Sequence, residues 1–184
     1  MDDGFHNNMI APEELPAYED VPLLPVSPRF AIYSVVSQGI AWSIIALGST
    51  LALIVGEMFQ GPATVAPFAA LFLGAGFASL SWLDARKRAY GLREHDLIYA
   101  RGIIVRRTVI LPLSRVQHVE TASGPLERHF NLVRLTCYTA GGLGADLVIG
   151  GLERDRAELV RQFLLSRIHG RDGEETQGDS DERR

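Results

Sequence analysis

Two long apolar runs dominate the hydropathy pattern: FAIYSVVSQGIAWSIIALGSTLALIV at positions 30–55 and PATVAPFAALFLGAGFASLSWL at 62–83, joined by GEMFQG around Glu57. A helix rising about 1.5 Å per residue needs roughly 20 apolar residues to cross a hydrocarbon core of about 30 Å. Both runs meet that length, so the pattern predicts a two-helix transmembrane anchor over 29–83. Neither run contains Asp, Glu, Lys, Arg or His, and Gln38 is the one strongly polar side chain of the first. An ion or proton path built from this chain alone is therefore not expected. Small residues recur every fourth position, as Gly48, Ala52 and Gly56 in the first run and Ala66, Ala70, Gly74 and Ala78 in the second. Close backbone approach across such faces holds membrane helices together, so these seven are the expected packing positions between the helices or against another subunit.

Beyond residue 84 the period shortens to two. AYGLREH, DLIYAR, IIVRR, TVILPL, RVQHVET, VRLTCYT and ADLVIG are rich in β-branched, aliphatic and aromatic residues and are broken by Gly, Asp, Asn or Pro. They predict about seven strands. Val133, Leu135 and Cys137 alternate with Arg134, Thr136 and Tyr138, giving one buried and one solvated face. Pro112 has no N–H to donate and marks an edge or bent strand. From Glu153 the period becomes helical, with Leu159, Val160, Phe163, Leu164 and Ile168 as the apolar stripe and Gly170 as the expected C-cap. A small β-unit with an open mouth plugged by this helix accounts for residues 84–170.

The mean hydropathy of +0.09 and the net charge of −4 average over unlike regions. Residues 1–29 carry one Arg against six acids, and 171–184 carry three Arg against six acids; between 84 and 170 there are fourteen Lys plus Arg against nine Asp plus Glu. The first 28 residues, with five prolines among the acids, and the polar 171–184 tail have compositions that cannot bury enough surface to fold alone, so both are expected to be disordered. Lys and Arg near span ends stay on the cytoplasmic side. Arg29 precedes the first run, Arg86, Lys87, Arg88 and Arg93 follow the second, and the connection has none. The expected topology is a multi-pass plasma (inner) membrane protein with both termini cytoplasmic. The first run begins behind an acidic leader and is too long for a signal-peptide core, which favours a span over a cleaved signal. Arg86, Lys87 and Arg88 are the cations best placed to touch anionic lipid. Cys137 has no second cysteine with which to form an internal disulfide and reads as a small core residue.

The stretch from Tyr90 to Gly142, and on from LVIGGLERDRAELVRQFL, resembles the bacterial pleckstrin-homology-like domain of membrane-flanked proteins of the YdbS type. Leu111-Pro112-Leu113-Ser114-Arg115-Val116-Gln117, Gly124-Pro125-Leu126-Glu127-Arg128 and Leu135-Thr136-Cys137-Tyr138-Thr139-Ala140-Gly141 carry the likeness, with Val26-Ser27-Pro28-Arg29 ahead of the first helix. It covers about residues 26–168. Asn131 stands where that family commonly has glycine, and Asn tolerates the left-handed backbone that glycine permits. The resemblance implies a seven-stranded PH-like barrel capped by a C-terminal helix and carried on two transmembrane helices. It implies no reaction and no cofactor. It further implies a scaffold or assembly role beside another membrane protein, for example a related protein with tandem copies of the domain.

Candidate chemistry is sparse. Nucleophile, phosphate-loop and zinc-spacing motifs are absent, and Gly141–Gly144 reads as a turn between strands. His118, Glu120, Glu127 and His129 offer imidazoles and carboxylates without diagnostic metal spacing. Arg101, Arg106 and Arg107 are the nearest counterparts of a headgroup-binding cluster, but Arg106 and Arg107, adjacent in a strand, would face opposite sides. Gly124, Pro125, Leu126, Glu127, Arg128 and Phe130 are the protein-interface candidates. Leu126 and Phe130, four apart, share a face if the segment is helical, and the same two residues could instead plug the barrel. The expected partners are membrane lipids and another membrane protein or a second copy of this chain, not nucleic acid. The competing reading is a module sensing anionic lipid or a small ligand.

Overall fold

The computed structural model describes residues 22–56, 61–139 and 147–181, with side chains described as far as 168. Two helices, α1 (Arg29–Val55) and α2 (Ala66–Lys87), form an antiparallel pair, with a 3-10 turn at Pro62–Val65 leading into α2. The stretches Arg29–Val55 and Pro62–Lys87 run for 27 and 26 residues and are long and apolar enough to cross a bilayer. Most of their surface points outward: Ile44, Leu47 and Val55 of α1 and Phe68, Phe72 and Leu73 of α2 are all exposed. Lipid, rather than water, suits so continuous an apolar surface. Several hydroxyls in the spans bond within their own helix, as Ser49 and Thr50 both donate to the Ala46 carbonyl at 2.8 Å.

Among the described residues seven strands follow the sequence expectation in number but not in membership. One sheet has the order β1 (Leu24–Pro25), β2 (Ala89–Leu92), β3 (Asp96–Arg101), β4 (Arg107–Pro112), and a second has β5 (Val116–Ala122), β6 (Leu132–Thr139), β7 (Leu147–Glu153), all antiparallel. The IIVRR segment is not a strand. Gly102, at φ +102°, turns the chain there, and Ile103–Val105 form the bend between β3 and β4. The seventh strand comes from Leu24–Pro25, inside the stretch expected to be part of a disordered leader; pairing with Tyr90 and Ala89 gives it a template its own composition lacks.

The expected closed barrel is replaced by two open sheets of four and three strands. Pro112 ends β4 on a sheet edge, and a 3-10 turn at Leu113–Arg115 redirects the chain into β5 instead of extending the ladder. Between the sheets lies one core, in which Leu97, Tyr99, Leu135, Cys137, Ile149 and Leu152 are almost fully buried. The β6 alternation is as read, with Val133, Leu135 and Cys137 inside and Arg134 outside.

Helix α4 (Arg154–Asp181) covers this core through Ala157, Val160 and Leu164, with Phe163 and Ile168 at the margin. Leu159, expected on the stripe, is 66% exposed, because at 100° per residue it lies off the 157–160–164 line. The helix also runs through Gly170 rather than ending there, since an isolated glycine costs about 1 kcal/mol relative to Ala without stopping a helix. The short helix α3 (Pro125–His129) bridges β5 and β6, and Asn131 beyond it takes the left-handed conformation at φ 57°.

Candidate functional site at the membrane boundary

The anchor and the β-unit share one core. Phe30 and Ala31 of α1, Ala85 of α2 and Val26 ahead of them belong to the same buried cluster as the strands. Main-chain bonds reinforce this join: the Val26 N–H donates to the Arg88 carbonyl (3.2 Å) and the Ser27 N–H to that of Gly151 (2.9 Å). The Ser27 hydroxyl donates to Glu153, 126 residues away in sequence, at 3.0 Å. Gly151, at φ +81°, lets the Phe30 ring lie directly on the β7 backbone; a Cβ there would sit 2.7 Å from Phe30 Cβ and 2.7 Å from Cδ2. The β-unit is thus held against the membrane helices as a fixed body.

At this boundary α3 is built around Glu127. Its carboxylate is buried, accepts the Gly124 N–H at 2.8 Å and pairs with Arg134 at 2.9 Å, which holds the Arg134 guanidinium pKa above its ordinary value. The Ser123 hydroxyl closes the segment onto the Leu132 carbonyl at 2.8 Å. The Phe130 N–H donates to the carbonyls of Leu126 (3.3 Å) and Glu127 (3.1 Å), so the segment is one helical turn. Phe130 packs on the core and meets Tyr33 of α1 edge to face, with ring centroids 6.3 Å apart. Leu126 and Gly124 are half-buried, and Pro125 and Arg128 face outward. Of the six interface candidates, Glu127 and Phe130 therefore brace the turn while Pro125 and Arg128 form its exposed rim.

The three cations at the end of α2 divide in the same way. Arg86 and Lys87 are exposed, and the Arg86 guanidinium lies 4.6 Å from the centre of the Trp82 ring, a pairing suited to the headgroup zone. Arg88 turns inward, 5.2 Å over the Phe30 ring, and donates to Asp84 Oδ2 through Nε (2.8 Å) and Nη2 (2.5 Å). Asp84 precedes it by one helical turn, which captures the guanidinium before lipid can.

The small-residue faces separate too. Ala70 and Gly74 are buried and Ala78 half-buried against α1, with the Trp42 Cβ 2.6 Å from where a Gly74 Cβ would stand. Ala66 is exposed, as are Gly48, Ala52 and Gly56, and a Cβ at Gly48 would meet nothing within 4 Å. The α1 stripe thus faces away from α2, while Ala46, Leu53 and Trp42 take the inner side and Gln38 reaches Ser81 at 3.3 Å.

Cavities flank the junction. One of about 530 Å³ lies between Ser34, Gln38, Phe77, Leu80 and Asp84 of the helices, with Arg88 just beyond α2, and the Gly102–Val105 bend. Another, about 730 Å³, is bordered by Lys87, Arg101, Arg106 and Arg107. Arg106 and Arg107, expected on opposite faces, border the same space because Arg106 belongs to the bend and only Arg107 to β4.

Of the four residues weighed for a metal, the two carboxylates are otherwise engaged, Glu127 as above and Glu120 as acceptor from the Tyr138 hydroxyl at 3.0 Å, while His118 and His129 lie against the Tyr138 and Phe130 rings. Among the described residues no three His, Cys, Asp or Glu side chains gather into a ligand set. Gly141–Gly144 lies outside the described residues. The Phe30–Gly151 contact had no local signature, since it joins residues far apart in the sequence, whereas Glu127 three residues after Gly124 is the spacing of a capping box.

Comparison with known proteins agrees with this architecture. Residues 36–168, most of the hairpin together with the β-unit, match the family model described as "Bacterial PH domain". The chain is 36% identical over 81 residues to the UPF0699 transmembrane protein YdbS of Bacillus subtilis (strain 168), covering 43% of this chain and 49% of that protein. To the UPF0699 transmembrane protein YdbT of the same organism it is 26% identical over 108 residues, covering 56% of this chain and 22% of the relative. It therefore spans about half the length of the first relative and about a fifth of the second. No solved structure matches it. With two outward-facing apolar helices fused to a two-sheet, helix-capped unit, this membrane protein belongs to the bacterial PH domain family.

Proposed function

We propose that the chain is a non-catalytic scaffold: a PH-like unit clamped beneath the cytoplasmic face of the inner membrane, both termini on that side, holding another membrane protein through the α3 rim. The supporting observation is the rigid join. Because Phe30, Ala31 and Ala85 share the core of the β-unit, α3 stands at a fixed height beside α1, in touch with Tyr33 through Phe130. A rim held so close to a span suits a partner that is itself embedded in the bilayer. The cation distribution, with Arg29 before the first span and Arg86 and Lys87 after the second, supports the orientation. A protein with tandem copies of this domain, or a second copy of this chain, is the favoured partner class. Cys137, the one cysteine, is buried and its thiol is pushed up to about 11, which suits a core residue better than a nucleophile.

A photocrosslinker at Leu126 or Arg128 in native membranes, read by mass spectrometry, tests this. Reproducible capture of one membrane protein supports the scaffold; capture of lipid alone overturns it.

A further inference from the structure

The bend between β3 and β4 is unlike the rest of the β-unit surface. Ile104 is 87% exposed and Val105 64%, and no polar side chain separates them. They do not point into bulk solvent at random. With Gly102 and Ile103 they form one wall of the 530 Å³ cavity whose other wall includes Phe77, Leu80 and Ser81 of α2. Leu80 lies seven residues before Lys87, which at 1.5 Å per residue places it about 10 Å up the span from the end of the helix. The apolar tip therefore stands level with the last turns of a membrane helix, across a cavity whose helix wall also carries Ser34, Gln38 and Asp84.

The base of the same bend is cationic. Arg101 and Arg107 are direct cross-strand partners, an arrangement that by itself is unfavourable for like charges. With Arg106 and Lys87 they border the 730 Å³ cavity, and no carboxylate is among its described lining residues. The ion pairs among the described residues use none of the four. Lys87 ends α2 and fixes this cluster at headgroup height.

We propose that residues 102–106 are a second membrane contact: Ile104 and Val105 enter the acyl region of the leaflet from which α2 emerges, and Lys87, Arg101, Arg106 and Arg107 hold anionic phospholipid headgroups beneath it. An apolar tip above a ring of cations matches the order of layers in that leaflet, acyl chains first and phosphates next. This contact rests on the membrane anchor and is independent of the scaffold reading and of the α3 rim.

The test uses the full chain in lipid nanodiscs. Ile104→Cys carries an environment-sensitive fluorophore, Gln162→Cys on the exposed side of α4 is the reference, and the unsubstituted chain, whose Cys137 is buried, is the labelling blank. In phosphatidylcholine containing phosphatidylglycerol, the label at 104 is expected to be quenched by acyl-chain nitroxide lipids and shielded from aqueous iodide, and the label at 162 the reverse. Arg101→Gln and Arg107→Gln should each raise the phosphatidylglycerol fraction needed for half-maximal quenching about fivefold, the equivalent of roughly 1 kcal/mol per cation at an anionic surface. Equal iodide access at 104 and 162 overturns the proposal. So does shielding without nitroxide quenching, which means that protein covers the tip, and so does displacement of the label by millimolar glycerol phosphate in place of lipid quenching.

Discussion

Gly151→Ala tests whether anchor and β-unit are one mechanical body. The new methyl would meet Phe30 Cβ and Cδ2 at 2.7 Å each, well inside van der Waals contact, at a residue with φ +81°. Left-handed backbone costs a non-glycine residue about 1–2 kcal/mol. Overpacking a well-filled site adds about 1–3 kcal/mol, so the substitution should destabilise by roughly 2–5 kcal/mol. For a chain of this size that corresponds to a fall of about 5–15 °C in the unfolding midpoint in detergent micelles. Gly150→Ala is the control, because its Cβ would lie an ordinary 3.6 Å from Phe30 Cζ; it should stay within about 1 kcal/mol of the parent. Phe30→Ala alone empties a buried aromatic site and should cost about 3–5 kcal/mol. Combined with Gly151→Ala, the overpacking disappears and only the backbone strain persists. The double variant should therefore be less destabilised than the sum of the singles by about 1–3 kcal/mol. Additive effects within about 0.5 kcal/mol would refute a direct Phe30–Gly151 contact and, with it, the fixed join.

Three further outcomes follow from the contacts described. Gly74→Val should push α2 away from Trp42 and lower hairpin stability by about 1–3 kcal/mol, whereas Gly48→Val, with open space around it, should change it by less than about 0.5 kcal/mol; micelle unfolding compares the two. Glu127→Ala removes the Arg134 pair and the acceptor for the Gly124 N–H, and should cost roughly 1–3 kcal/mol and speed hydrogen exchange across 123–131. Burial raises the Cys137 thiol to about 11 from an ordinary 9.0, so its stabilising effect is complete below about pH 9 and is lost as pH rises towards 11. The stability gap between the parent and Cys137→Ala should accordingly narrow between pH 9 and 11, and a constant gap across that range would count against the assignment.

The features legible in the sequence were those written in local period. Run length alone located both spans, alternation located the inner face of β6, and the tolerance of Asn for left-handed backbone accounts for position 131. Chemical preference without position misled at Ile103–Val105, where β-branched residues suggest a strand and Gly102 makes a turn. A two-residue strand ending in proline, Leu24–Pro25, carries no propensity signal and exists because β2 offers an edge. Spacing also fell short in the spans: every-fourth small residues mark a face on both helices, but only packing shows that Gly74 points inward and Gly48 outward. At the candidate site, Arg86, Lys87 and Arg88 look alike in a row, and Asp84 one turn earlier is what separates Arg88 from its neighbours.

Topology is where the account is most directly exposed to test. Alkaline phosphatase and a green fluorescent protein, each fused after Arg184 and expressed in a bacterial host, report opposite sides of the inner membrane. A fluorescent, phosphatase-inactive carboxyl end in a carbonate-resistant membrane fraction is the predicted result; phosphatase activity outside, or recovery of the chain in the soluble fraction without detergent, would contradict it.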